Sequence, residues 1–301
     1  MIESDINMKK RRFYFAIALV LLLTGCTSVA LDESGKQMVP LSLSATYSAD
    51  ITLGTRSSTD LPSDINAGIY VAQKDTAIGA SYFANYLYLC GASGSLSTES
   101  NVFLTVGRSY DIYAYAPWQA TATNPDSIVM PHGADVLWTQ KATLNNASDQ
   151  NHSASLAFSH RAAQVSFKVV FASDFSMGST IITYDSKIEV SGFYDQGALD
   201  VTTGVLSPGL LQTKMMSGSG GGAAGSMTLG IDATCFIPAS TNMDLAIQVT
   251  HEGYVYHAII SHLFAAGSYT QYTVTVKGLN RVLDITGAII DWVPVTGKIN
   301  L

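Results

Sequence analysis

The sequence predicts an all-β protein that folds as two β-sandwiches in tandem. Segments rich in Tyr, Thr, Val and Ile follow one another along most of the chain, and such residues favour strands. Turn residues separate these segments at intervals of roughly 8–12 residues, which is typical of antiparallel sandwiches and barrels. No segment shows the period of a long amphipathic helix. With 301 residues, of which 47% are hydrophobic, the chain is large and apolar enough for two cores.

The N-terminus has the features of an export signal. Basic residues 9–12 precede an apolar run over 13–23, which is shorter than the roughly 20 residues of a membrane-spanning helix. Leu23-Thr24-Gly25-Cys26 then resembles the lipobox of bacterial lipoproteins, in which the chain is cut before an acylated cysteine. We predict a signal peptide over 1–25 and lipidation at Cys26, which would anchor the protein to a membrane. An ordinary buried or free thiol is the alternative.

Strand candidates follow in order behind a polar tether at 27–37. In the first half they are 41–51, 68–72, 82–89, 102–106, 110–116, 136–138, 155–160 and 164–171, with a polar, exposed stretch at 54–60. In the second half they are 179–184, 187–193, 198–202, 227–231, 245–251, 254–261, 269–277, 281–285 and 288–295. The glycine-rich stretch 217–225 is predicted to be a flexible loop. We expect the boundary between the two sandwiches near 172–179.

Composition and motifs argue against several classes of function. The net charge of −7 and the lack of a basic patch exclude nucleic-acid binding. No nucleophile elbow and no phosphate-binding loop occurs, so neither an enzyme nor a cofactor is predicted. His251, His257 and His262 come closest to a metal set, but Gly253 predicts a turn between the first two, and no metal site is expected. Cys90 and Cys235 are expected to be buried thiols, with a disulfide as the alternative.

Six landmarks resemble, in their order along the chain, the fimbrillin family of Bacteroidales, the subunits of type V pili. The resemblance covers most of the chain beyond the lipobox. The landmarks are Cys26 followed by a strand and Thr55-Arg56, Gly107–Tyr110 with Tyr113-Ala-Tyr115-Ala-Pro117, Leu156–Val165, Gly192–Gly197 with Thr203-Gly204, Phe236-Ile-Pro238 ahead of a hairpin turning at Glu252-Gly253, and Gly267–Tyr269 with Ile289–Trp292.

This resemblance implies two transthyretin-like β-sandwiches and a maturation step. Family subunits are exported as lipoproteins, and an arginine-specific protease cuts the loop after the first strand, which here would be the bond between Arg56 and Ser57. An ordinary exposed arginine is the alternative for Arg56. The implied domains are a lipidated propeptide with the first strand at 26–56, an N-terminal sandwich at 57–175 and a C-terminal sandwich at 176–301. Loss of the propeptide would open a groove that a strand of a neighbouring subunit fills.

The C-terminal segment has the pattern expected of the donated strand. Every second residue from Val293 lies on one face of a strand, and these residues are Val293, Val295, Gly297, Ile299 and Leu301. We expect Val293, Val295, Ile299 and Leu301 to be the donor side chains. The alternative is that this segment is the last strand of its own domain.

The resulting prediction is a structural or tip subunit of a cell-surface fimbrium that contributes to adhesion and is not an enzyme. Its expected partners are other pilus subunits, the outer membrane through the lipid, an arginine-specific protease, and a host or bacterial surface ligand. The hypothesis requires residues 41–51 to pack inside a sandwich. The alternative is a surface glycan-binding lipoprotein with tandem sandwiches, whose sugar platform would use Tyr113, Tyr115, Trp118 and Trp138 unless these residues serve packing instead.

Overall fold

A computed structural model describes most of the chain beyond the signal peptide. The described residues are 30–49, 57–63, 65–74, 83–172, 184–209, 213–222, 229–251, 253–277 and 282–290. They form 22 strands and one short 3-10 helix, Ala92–Gly94. Within these ranges, no helix has the length and apolar character that crossing a membrane requires.

The strands follow one another closely along the chain. Those of the first half are β1 (Met38–Pro40), β2 (Ser42–Ala49), β3 (Ser57–Asp60), β4 (Asn66–Gln73), β5 (Phe83–Cys90), β6 (Ser95–Ser97), β7 (Phe103–Thr105), β8 (Tyr110–Ala116), β9 (Ile128–Val129), β10 (Leu137–Thr139), β11 (Ala142–Leu144) and β12 (Ser153–His160). Those of the second half are β13 (Ala163–Phe171), β14 (Tyr184–Tyr194), β15 (Gly197–Asp200), β16 (Val205–Pro208), β17 (Thr213–Gly222), β18 (Leu229–Phe236), β19 (Met243–His251), β20 (Tyr254–His262), β21 (Tyr269–Lys277) and β22 (Val282–Ile290).

The first half forms one nine-stranded sheet that closes on itself. Its order is β10-β12-β2-β6-β5-β4-β8-β11, and β3 pairs with β2. Because β10 pairs with both β12 and β8, the sheet returns to its own beginning and wraps around a core. This first core contains Ile69, Ile112 and Phe158, all fully or almost fully buried. The strands β1 and β7 form a separate pair beside it.

The second half is a sandwich of two four-stranded sheets. One sheet has the order β18-β13-β21-β22 and the other β17-β14-β19-β20. Residues of both sheets meet in the second core, where the rings of Phe193 and Phe236 pack edge to face with centroids 4.9 Å apart. Cys90 and Cys235 are buried thiols in separate halves of the chain, as expected, and no disulfide joins them.

A third, smaller core joins the two halves. The sheet β16-β15-β9 takes β9 from the first half and β15 and β16 from the second. Its apolar side chains make up the junction core, in which the indole N–H of Trp138 donates to the Val201 carbonyl at 2.7 Å. The members of the junction core are Tyr70, Tyr115, Ile128, Met130, Ala134, Val136, Trp138, Leu199 and Val201.

The chain changes from the first sheet to the second earlier than the sequence predicts. The predicted first sandwich, residues 57–175, would have β13 as its last strand. In the structure β13 is antiparallel to β18 and parallel to β21, and Val165 and Phe167 lie in the second core. The change therefore comes between β12 and β13, because strand partners that are distant in sequence decide which sheet a strand joins.

The glycine-rich stretch forms a strand where a flexible loop was predicted. Residues 217–222 belong to β17 and pair with β14, with Gly218 opposite Ile188, whereas 223–225 lie outside the described residues. A Cβ at Gly218 would overlap the carbonyl oxygen of Gly230 in β18. Glycine is thus required for close approach of two backbones rather than for flexibility. The predicted strands 281–285 and 288–295 are continuous as β22 up to Ile290.

Candidate functional site

The strand that maturation would remove, β2, lies between two neighbours inside the first sheet. On one side it runs parallel to β12, from Ser42 opposite Ser153 to Tyr47 opposite Phe158. On the other side it is antiparallel to β6 near its start and to β3 near its end. Both edges of β2 are therefore occupied by backbone hydrogen bonds.

One face of β2 is part of the first core. Leu43 is 5% exposed and Ala45 is 1% exposed, whereas Ser44 between them is exposed. Val39 of β1 continues the buried face and is 3% exposed. Removal of this segment would thus uncover an apolar groove flanked by two strand edges, and such edges recruit another strand. The hypothesis requires this position for residues 41–51, and the described part, 41–49, occupies it.

The residues before β1 are fixed in a turn rather than forming the predicted polar tether. Leu31 and Gln37 form an isolated bridge, and residues 27–29 lie outside the described residues. The Asp32 carboxylate accepts hydrogen bonds from the backbone N–H groups of Lys36 at 2.8 Å and Ser34 at 2.9 Å. These bonds, with that from Lys36 the strongest influence, lower the pKa of Asp32 below its ordinary value. The segment that is predicted to be removed, 26–56, therefore contains hydrogen-bonded structure before β1 as well as in β2.

The predicted cleavage site lies in the connection between two paired strands. The structure places Ser57 at the start of β3, opposite Ala49 of β2, so the stretch predicted to be polar and exposed continues as a strand over Ser57–Asp60. Arg56 lies outside the described residues. A cut after Arg56 would break the covalent connection between β2 and β3. All residues through which the two strands pair, 46–49 and 57–60, would stay intact.

The other predicted site residues are not placed by the structure. Cys26, Val293, Val295, Ile299 and Leu301 lie outside the described residues. The last described strand, β22, ends at Ile290. Of the predicted site, the structure therefore brings together the first strand and Ser57 alone.

The aromatic residues of the glycan-binding alternative do not form an exposed platform. Tyr115 is fully buried and Trp138 is 9% exposed, both in the junction core, and Tyr113 and Trp118 are half-buried. The Tyr115 hydroxyl donates to the Asn85 side chain at 2.8 Å, and burial raises the pKa of this hydroxyl above its ordinary value. Tyr115 and Trp138 therefore cannot stack on a sugar while the junction core is intact.

The histidines considered for a metal site do not lie together. His251 is buried and its Nδ1 lies 2.6 Å from the Ser186 hydroxyl, whereas His257 is exposed on the other face of the sheet. His160 is buried and pairs with Asp135 at 2.8 Å, in keeping with a structural role. Among the described residues, no group of three or more His, Cys, Asp or Glu side chains is arranged to hold a metal ion.

A sequence profile described as fimbrillin-like matches residues 55–292, which is most of the chain. The chain belongs to the fimbrillin-like family. The profile match begins one residue before Arg56 and ends one residue before Val293, so apart from Thr55 and Arg56 it covers the part of the chain between the two segments predicted to be removed and donated. No curated protein matches the sequence.

Solved structures share the fold of this fimbrillin-like chain. A candidate cell adhesion protein from Bacteroides ovatus has a TM-score of 0.63 at 20% identity, over 86% of this chain and 99% of its own. A second candidate cell adhesion protein, from Bacteroides uniformis, has a TM-score of 0.58 at 16% identity, over 84% of this chain and 99% of its own. At these identities the likeness shows a common all-β fold.

Sequence reasoning missed two features of the site. It did not predict that β3 directly follows the cleavage bond and pairs with β2, because Ser57–Asp60 is wholly polar and contains no strand-forming alternation. It also did not identify β12 as the parallel partner of β2, since about 110 residues separate the two strands. The alternation of apolar residues in 41–45 was the available signal, and it identified the buried face correctly.

Proposed function

We propose that this protein is a structural or tip subunit of a cell-surface fimbrium that assembles by strand exchange. It is exported as a lipoprotein acylated at Cys26 and located at the outer membrane. An arginine-specific protease cuts between Arg56 and Ser57, the segment that contains β2 leaves, and the C-terminal segment of a neighbouring subunit takes its place. Its role is structural and adhesive rather than enzymatic, as expected of the fimbrillin-like family.

The single observation that carries this proposal is the position of β2. A strand near the N-terminus occupies a slot inside a sheet, with a partner on each side and Leu43 and Ala45 in the core. While β2 is covalently attached, it rebinds faster than any separate strand can enter, because its effective concentration is high. Cleavage removes this advantage, so proteolysis controls assembly.

The test is controlled cleavage of the recombinant chain that begins at residue 26 with Cys26→Ser. Treatment with an arginine-specific protease should give a new N-terminus at Ser57 and a series of oligomers in size-exclusion chromatography. The matched control is Arg108, an exposed arginine in a turn after Gly107. Arg56→Ala should abolish oligomer formation, whereas Arg108→Ala should leave it unchanged.

A second variant separates the two halves of the exchange. Deletion of 293–301 should leave a cleaved protein that accepts a strand from an intact neighbour but cannot donate one, so mixtures should stop at dimers. A protein that is fully cut after Arg56 and still elutes as a monomer at assembly concentrations would contradict the proposal.

A further inference from the structure

The buried face of β2 contains one position that differs in size from the others. Leu43 has a large side chain on this face, Leu41 just before the strand and Val39 of β1 continue the apolar row towards the N-terminus, and the last residue of the row whose side chain is described is Ala45. Ala45 is 1% exposed and lies opposite Leu156 of β12, which is also 1% exposed. Its carbonyl also accepts a hydrogen bond from the Leu61 N–H at 3.4 Å. The groove therefore has a narrow place at Ala45.

Close packing makes this position selective. Protein interiors are filled to nearly crystalline density, so an added side chain at a fully buried alanine must displace its neighbours. The residue beside it, Ser44, points to the exposed face and has no such restriction. A strand that enters the groove must therefore have a small side chain at the position of Ala45, whereas a side chain of any size fits at the position of Ser44.

We infer that the groove accepts only strands with glycine or alanine opposite Leu156, and that this position fixes the register of the incoming strand. The inference rests on the proposed function. The occupant is the C-terminal segment of a second copy. On the apolar face of that segment, Gly297 is the one small residue, and the others are Val293, Val295, Ile299 and Leu301. A shift by two residues would place Val295 or Ile299 at the narrow position.

The remaining residues of this segment agree with the same register. The residues between the apolar ones are Pro294, Thr296, Lys298 and Asn300, which would face outwards where β2 presents Ser42, Ser44 and Thr46. A shift by one residue would turn these polar side chains into the core. Large residues flank Gly297 on both sides, so the requirement is met whichever way the donor runs.

The test is peptide exchange on the full chain from residue 26, cleaved after Arg56. A fluorescent peptide of residues 38–49 in excess should replace the bound propeptide, which fluorescence anisotropy follows. The Ala45→Leu peptide is compared with Ser44→Leu, which adds the same side chain on the exposed face. Peptides of residues 291–301 are compared in the same way, as Gly297→Leu against Lys298→Leu.

Ala45→Leu and Gly297→Leu should each weaken binding by at least about tenfold, and the two controls should stay within about threefold of the parent peptides. Equal binding of the Ala45→Leu and Ser44→Leu peptides would overturn the size requirement while leaving strand exchange intact. Failure of both parent peptides to enter the groove would overturn the proposed function and the inference with it.

In the uncleaved chain, Ala45→Leu should lower the urea midpoint and Ser44→Leu should not, and equal midpoints would again overturn the size requirement.

Discussion

The two ends of the described chain are both strands, but they are held in different ways. The first long strand, β2, has partners on both edges and contributes Leu43 and Ala45 to the first core. The last described strand, β22, pairs with β21 alone among the described strands and lies at the edge of its sheet. Its inward residues Leu283 and Ile285 are only half-buried.

This difference indicates which end of the molecule can act as an acceptor. Loss of β2 would leave two rows of unpaired backbone groups and an opening into the core, so that a foreign strand regains hydrogen bonds on both sides. Loss of β22 would uncover one edge and little core. The first half would therefore be suited to receive a strand once β2 has left, whereas loss of β22 would open no comparable groove among the described residues.

The largest expected effect comes from equal truncations at the two ends. Leu43→Ala should lower the free energy of unfolding of the uncleaved chain by about 2–5 kcal/mol, because it creates a cavity in a closed core. Leu283→Ala should cost about 1 kcal/mol, since that side chain is only partly buried against the second core. Urea denaturation followed by tryptophan fluorescence measures both. Equal losses in the free energy of unfolding would show that β2 and β22 contribute equally to their cores.

Local pattern predicted the buried faces of strands but not their partners. The alternation in 41–45 and the apolar segment 110–116 gave correct strands and, for β2, the correct face. The assignment of β13 to the wrong half shows the limit, because every residue that it pairs with in β18 and β21 is 60 or more positions away in the sequence. Pairing over such distances depends on the whole fold and leaves no local signal.

Residue type alone also did not decide where several side chains of the candidate sites lie. By residue type, Tyr115 and Trp138 fit either an exposed sugar platform or packing, and the structure places both in the junction core, where their polar atoms have protein partners. The glycines of β17 predict flexibility in the sequence, because the close approach of another backbone, here Gly230 against Gly218, cannot be seen in one segment. Donor and lipidation sites remain predictions from the sequence.

A smaller effect is expected where the two halves meet. The Trp138 indole donates to the Val201 carbonyl at 2.7 Å, and the Arg161 guanidinium lies 4.2 Å from the centre of the ring. Trp138→Phe should cost about 2 kcal/mol, because it leaves a buried carbonyl without its donor and weakens the cation–π contact. Trp118→Phe is the matched control, since this half-buried indole N–H donates over a longer 3.3 Å to Asn85 within the first half.

Trp138→Phe also tests whether the junction core couples the two halves of the chain. If the halves unfold together in the parent protein, calorimetry should show one transition, and Trp138→Phe should broaden it or divide it into two. A Trp138→Phe protein with the stability of the Trp118→Phe control would show that the junction does not connect the two cores.

The smallest effects should come from one buried tyrosine in each core. Burial raises the pKa of Tyr88 in the first core and of Tyr272 in the second to about 12, with the neighbouring Tyr86 adding to the effect on Tyr88. Because the folded pKa exceeds the ordinary value of 10.0, the stability linked to each group is complete below pH 10 and is lost as the pH rises through about 12. Tyr88→Phe and Tyr272→Phe should each reduce this alkaline loss, as measured by urea midpoints from pH 8 to 12.

Tyr88→Phe has a further expected effect, on stability at neutral pH. Among the described residues the buried Tyr88 hydroxyl has no hydrogen-bond partner, so its removal eliminates a desolvated polar group. Tyr88→Phe should therefore leave the stability at pH 7 unchanged or raise it by up to about 1 kcal/mol. A clear loss of stability would show that the hydroxyl is satisfied in solution and that the first core is less dry around Tyr88 than its burial indicates.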